Sequence, residues 1–171
     1  MKKMKEVLFM SKTQRITFIS LGAALTFVAT FFIRIPTGLG YVNAGDGVII
    51  LCGAFLGGLP GLICGCIGSA LADLAAGYVV YAPVTAVIKG LMGLVSGLML
   101  SKKRPIPFLR TLLASALCLV IMVSGYFLFE GLLYGFGAAA LSIIPNCLQG
   151  LCGMAIALIG TKLKIIPSRK P

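Results

Sequence analysis

The sequence has no histidine and no tryptophan, and only four acidic residues among 171. Without histidine there is no imidazole for a zinc site or for His-based acid–base chemistry. No paired-carboxylate or activated-nucleophile constellation replaces it, so no enzyme is expected. A G-x-x-x-x-G-K-[ST] run is also missing, and with it that way of cradling ATP phosphates. Charge itself is scarce: 11% of residues are charged, against roughly 25% in soluble domains. With 59% hydrophobic residues and a mean hydropathy of +1.07, a soluble fold could not hide so much apolar surface. The chain is expected to be an integral membrane protein.

The apolar runs are continuous and lack the dyad alternation of a membrane β-barrel. At about 20 residues per helical span, the length allows about six. Span one is expected over Ile16–Ile33, followed by the polar connection "RIPTGLGYVNAGDG". A hairpin of Val48–Leu59 and Leu62–Gly77 is joined at "GGLPG". Span four covers Val84–Leu100, then the basic link "SKKRPIPFLR"; span five covers Thr111–Phe129, then the loop "EGLLYGFG"; span six covers Ala138–Thr161. The first run is long for a signal peptide and lacks a small-x-small cleavage site, so it is expected to be retained. Each hairpin arm is short for a crossing, and a re-entrant or tilted pair satisfies the pattern equally. The division is a basic start (1–15), one six-helix transmembrane domain (16–161) and a basic tail (162–171).

Charge placement sets the orientation. Lys2, Lys3, Lys5, Lys12 and Arg15 precede span one; Lys102, Lys103, Arg104 and Arg110 separate spans four and five; Lys162, Lys164, Arg169 and Lys170 follow span six. With six spans these thirteen of fifteen basic residues share one side, so both termini are expected to be cytoplasmic. The net charge of +11 is accounted for in this way, and no nucleic-acid partner is expected. Glu6 shares the basic side, whereas Asp46, Asp73 and Glu130 gather toward the other. All six cysteines lie in apolar runs and are expected to be small buried hydrophobes rather than a metal site or disulfides. Gly53, Gly57, Gly61 and Gly65, then Gly93 and Gly97, recur every four residues, the spacing of close helix packing.

Charges inside a span are expensive and usually face a cavity or a partner. Asp73 ends span three and Lys89 lies about two turns into span four, with a Tyr-Ala-Pro turn between them. Lys89 is expected to reach Asp73, or Asp46 from the first loop, and Thr85 shares its helix face. A Lys89–Asp73 pair orients Lys89 in a pocket or simply locks two helices. If charged, Lys89 favours a ligand with an acceptor group; if neutralised, it only shapes the site. Tyr41, Asn43, Tyr78 and Tyr81 lie on the same side, although the two turn tyrosines equally suit a membrane-interface belt. Glu130 reads as a solvated loop charge. Asn146 and Gln149, three apart in an apolar helix, need partners and are the better ligand candidates. Aromatic rings beside a few polar groups fit a pocket for a flat, polar small molecule.

The segments "YVNAGDGVIILCGAFLGGLPGLICGCIGSALADLAAGY" and "YAPVTAVIKGLMGLVSGL" resemble the substrate-binding S components of energy-coupling factor (ECF) vitamin transporters. The riboflavin, hydroxymethylpyrimidine or pyridoxine-type branch is the most similar. The likeness is sharpest from Tyr41 to Leu98. It implies a six-helix capture subunit in a bacterial plasma membrane that binds a vitamin or precursor near the outer face, with the first loop as a lid. The implied partners are a transmembrane coupling protein and two cytoplasmic ATPases, whose cycle topples the subunit and releases substrate inside; no cofactor is implied. Substrate-binding residues would be Asn43, Asp46, Asp73, Tyr78, Tyr81, Thr85, Lys89, Asn146 and Gln149. The family's small-residue docking face on the first helix matches Ser20 and Ala24, with Gly22 and Ala23 beside them; a serine stands where the first alanine is usual. Other readings are an S component for pantothenate, folate or a queuosine precursor, and a membrane scaffold whose charge pair is structural.

Overall fold

The computed structural model describes residues 11–38, 41–102 and 105–163. Lys2, Lys3, Lys5, Glu6, Lys103, Arg104, Lys164, Arg169 and Lys170 lie outside the described residues, as do most of the basic start and tail. Helix α1 (Lys12–Phe31) begins earlier than its apolar run because Ser11 and Gln14 form a capping box. Ser11 Oγ accepts from the Gln14 N–H at 3.1 Å, and Gln14 Oε1 accepts from the Ser11 N–H at 3.0 Å, satisfying two donors that a helix start leaves open.

The connection after α1 is a small hairpin: β1 (Arg34–Pro36) pairs antiparallel with β2 (Tyr41–Asn43), with Arg34 opposite Asn43. Helices α2 (Gly45–Leu56) and α3 (Gly58–Ala75) follow, separated by Gly57 alone. Gly57 has φ 106°, a left-handed conformation costly for any residue with a Cβ. The expected "GGLPG" linker is therefore mostly helix. Pro60 sits in the first turn of α3, where the missing N–H would have no intrahelical partner. Helix α4 (Ala82–Leu100) starts with Pro83 in its first turn. Helices α5 (Phe108–Tyr134) and α6 (Phe136–Lys162) are divided only by Gly135, φ 88°. The expected loop "EGLLYGFG" is almost entirely helical, since one glycine in that conformation turns the chain.

Among the described residues, α1, α3, α4, α5 and α6 are long and apolar enough to cross a membrane. Helix α2, with 12 residues, reaches about 18 Å against a hydrocarbon core of about 30 Å.

Glycine sets how closely α2, α3 and α4 approach. A Cβ on Gly61 of α3 would run into the carbonyl of Gly93 on α4 and, at 2.7 Å, the Cα of Gly53 on α2. Three backbones thus touch where side chains would hold them apart. Gly57, expected on the same packing face, is instead the turn. Polarity is reversed relative to a soluble fold: Leu132 and Leu141 are 84% and 75% exposed, while Asp46, Lys89 and Gln149 are at most 2% exposed. The six cysteines are free thiols. Cys52, Cys64 and Cys118 are buried as expected, whereas Cys66 and Cys147 are half-buried and Cys152 is exposed on the outer surface of α6.

Candidate functional site

A cleft opens at the hairpin end of the bundle, with about 510 Å³ of empty space when the open solvent at its mouth is included. The hairpin supplies Tyr41 and the segment after β1 supplies Thr37; Asp73 comes from the end of α3, Tyr78 and Tyr81 from the α3–α4 turn and Thr85 from α4. Helix α5 adds Tyr126 and Glu130, and α6 adds Ser142, Pro145, Asn146 and Gln149. No residue of α2 reaches it. Helix α2 begins at the level of Lys89, which pairs with its second residue, Asp46.

The walls are aromatic. Ring centroids of Tyr41 and Tyr78 lie 5.2 Å apart, those of Tyr78 and Tyr81 6.1 Å, and those of Tyr81 and Phe129 5.4 Å. The tilted and edge-on geometries are those aromatic pairs prefer. Tyrosine hydroxyls then hold the acids: Tyr41 donates to Asp73 Oδ1 at 2.5 Å, and Tyr81 donates to Glu130 Oε1 at 3.4 Å. Burial, and next the hydrogen bond to Asp73, push the Tyr41 phenol far above its ordinary value, so it stays protonated. Burial and then the charge of Glu130 do the same for Tyr81. Thr85 and Tyr126 share a hydrogen bond of 2.9 Å between α4 and α5.

The floor is a separate network. Lys89 pairs with Asp46 Oδ1, not with Asp73, correcting the expectation that Asp73 orients it. Gln149 Nε2 donates to Asp46 Oδ2 at 2.9 Å, while Gln149 Oε1 accepts from the N–H and the side-chain amide of Asn43 at 3.0 and 3.2 Å. Asn43 Oδ1 in turn accepts from the Gly45 N–H at 2.9 Å. Lys89 Nζ also meets Met122 Sδ at 3.0 Å. Asp46 is chosen because α2 is drawn onto α4 by the glycine contacts, whereas Asp73 lies a helix end away, beside Tyr41.

Of the residues expected in the site, Asp73, Tyr78, Tyr81, Thr85, Asn146 and Gln149 line the cleft, whereas Asn43, Asp46 and Lys89 lie in the floor. Glu130, expected to be a solvated loop charge, is 3% exposed and lines the cleft from α5. Tyr126 and Ser142 were not anticipated. Their signal was helical spacing: Tyr126 stands four before Glu130, and Ser142 four before Asn146. On α1, Ser20 and Ala24 face outward, but Gly22 is buried. A Cβ on Gly22 would strike the Cys64 sulfur, and its neighbour Ala23 is half-buried with its carbonyl close to Gly68.

A helical membrane bundle that opens on one aromatic, hydrogen-bonding cleft defines a membrane-embedded binding protein for a small polar molecule. The profile of the ECF-type riboflavin transporter S component family matches residues 10–164. A thiamine precursor transporter, HmpT of Lactococcus lactis subsp. cremoris (strain MG1363), is 32% identical over 149 residues, 85% of this chain and 84% of that one. A protein of Pyrococcus woesei, described only as an uncharacterized protein in a gap 3′ region, is 37% identical over 131 residues, 75% of this chain and 86% of that one. The crystal structure of FolT bound with folic acid shares the fold, with a TM-score of 0.72 at 22% identity over 87% of this chain and 90% of that one. The chain belongs to the ECF-type riboflavin transporter S component family. It is a multi-pass membrane protein and a substrate-capturing transport subunit.

Proposed function

We propose that this S component captures a small heteroaromatic vitamin or precursor of the riboflavin, hydroxymethylpyrimidine or pyridoxine kind, and delivers it inward by toppling. The cleft carries this reading: its lining combines tyrosines able to stack on a ring with carboxyl and amide groups able to orient it. The relative HmpT, by name a thiamine precursor transporter, lends support from sequence. Tyr78 and Tyr81 stack on the ring, Asp73, Thr85 and Asn146 orient it, and the Asn43–Asp46–Lys89 floor, closed by Gln149, holds the base of the hairpin.

In this reading the chain crosses the membrane six times with both termini cytoplasmic, the extended β2 and the 12-residue α2 together making the second crossing and α3 the third. A transmembrane coupling protein and two cytoplasmic ATPases supply the work. The outward face of α1 at Ser20 and Ala24 is the docking surface, and the buried Gly22 and half-buried Ala23 let α1 lie close on α3. Mass spectrometry of small molecules extracted from the purified protein, followed by binding titrations against a vitamin panel, tests the capture role. A bound heteroaromatic whose affinity falls at least tenfold in Tyr78→Ala is expected. A well-folded protein that binds nothing would make the chain a scaffold instead.

A further inference from the structure

Asp73 on α3 and Glu130 on α5 line the same cleft and are 5% and 3% exposed. Each has one carboxyl oxygen held by a tyrosine, while the other, Asp73 Oδ2 and Glu130 Oε2, has no hydrogen-bond partner among the described residues. A buried acceptor left unmatched costs roughly 1–3 kcal/mol, more when charged, so a ligand that donates to both removes a standing penalty. No lysine or arginine lines the cleft. Lys89 is committed to Asp46 in the floor. Arg34 lies over the rings of Phe31 and Tyr41, at 4.5 and 5.7 Å from their centroids, outside the lining. The lining therefore holds two carboxyls, each with a buried unpartnered oxygen, and no basic side chain. The nearest guanidinium, that of Arg34, stands behind Tyr41 with its own buried Nη1 unpartnered among the described residues.

We infer that the cleft selects small heteroaromatic molecules bearing amino, amidine-like or hydroxyl donors, neutral or cationic, and rejects those carrying a carboxylate or phosphate. Asp73 and Glu130 are the specificity-determining residues. An anionic substituent would be set against two carboxyls with no basic side chain in the lining, the unfavourable half of selectivity. The inference rests on the capture reading above and removes the idea that Lys89 calls for an acceptor ligand. It also separates vitamin-type substrates by charge: folate and pantothenate carry carboxylates, whereas hydroxymethylpyrimidine and pyridoxamine present donors without one.

The test uses matched pairs on the full-length protein in detergent or nanodiscs. Pyridoxamine is titrated against 4-pyridoxic acid, and 4-amino-5-hydroxymethyl-2-methylpyrimidine against its phosphate. In each pair the donor-bearing member is expected to bind at least tenfold tighter. Asp73→Asn and Glu130→Gln, which keep size but replace an acceptor-only group, are each expected to narrow that ratio at least fivefold. Equal or tighter binding of the acidic members would overturn charge selection while leaving capture intact. If none of the four binds, the molecule found by mass spectrometry decides: a donor-bearing uncharged or cationic compound supports the inference, and an anionic one overturns it. Absence of any bound compound removes the capture reading, and this inference with it. The wild-type comparison stands even if a variant fails to fold.

Discussion

Asp46 and Asp73 are both nearly inaccessible carboxylates in one apolar bundle, yet they live in opposite circumstances. Asp46 has both oxygens engaged, one by Lys89 and one by Gln149. Asp73, a residue of the cleft lining, has one oxygen engaged by Tyr41 and the other buried without a hydrogen-bond partner among the described residues. Glu130 repeats the second pattern with Tyr81. The difference separates polar groups that hold helices together from polar groups kept ready for a guest. Burial alone would have grouped all three.

Breaking the satisfied pair should do the most damage. Lys89→Ala leaves Asp46 buried without its counter-charge, and a loss of about 3–5 kcal/mol is expected, measured as unfolding in SDS or as failure to accumulate folded protein. The double variant Lys89→Met with Asp46→Leu should recover much of that loss, because apolar replacement of a whole buried pair is often tolerated. Gly93→Ala probes the packing that brings Asp46 to Lys89. Its Cβ would meet the backbone of Gly61, so about 1–3 kcal/mol is expected, again from SDS unfolding.

On the cleft side the effects should be smaller for stability and larger for binding. Tyr41→Phe removes the hydroxyl that orients Asp73, at about 0.5–1.5 kcal/mol for a hydrogen bond. Part of this should appear as weaker ligand affinity by titration rather than as lost stability. Tyr81→Phe removes only a long contact of 3.4 Å to Glu130, and a stability change near 0.5 kcal/mol is expected. If Tyr81→Phe proved as destabilising as Lys89→Ala, the two classes of acid would not be distinct.

Much of the helical layout was legible because lipid-facing helices are apolar all along their length. Helix ends were not, since they depend on caps and on single glycines: the Ser11–Gln14 box lengthened α1, and Gly57 and Gly135 replaced the loops expected around them. The hairpin of Arg34–Pro36 and Tyr41–Asn43 escaped because strands of three residues are too short to show alternation. Asn146 and Gln149 were legible as amides without obvious partners in an apolar helix. For Lys89 the sequence narrowed the partner to Asp73 or Asp46, and the structure takes Asp46; the choice between them depends on how far glycine contacts let α2 advance along α4. Glu130 was missed for a related reason: a lone acid near a run of glycines looks like a loop, and only the continued helix to Tyr134 carries it inward.

The shortness of α2 also bears on how the protein is assembled. Its 12 residues and Asp46 make it a poor candidate for insertion by itself, and Lys89 burdens α4 in the same way, since either ion at mid-bilayer costs roughly 2.5–3.5 kcal/mol on insertion scales. Partitioned together as a neutralised Asp46–Lys89 unit, they escape most of that cost. Biogenesis should therefore proceed with α2 through α4 held at the translocon until they can leave for the lipid as one body.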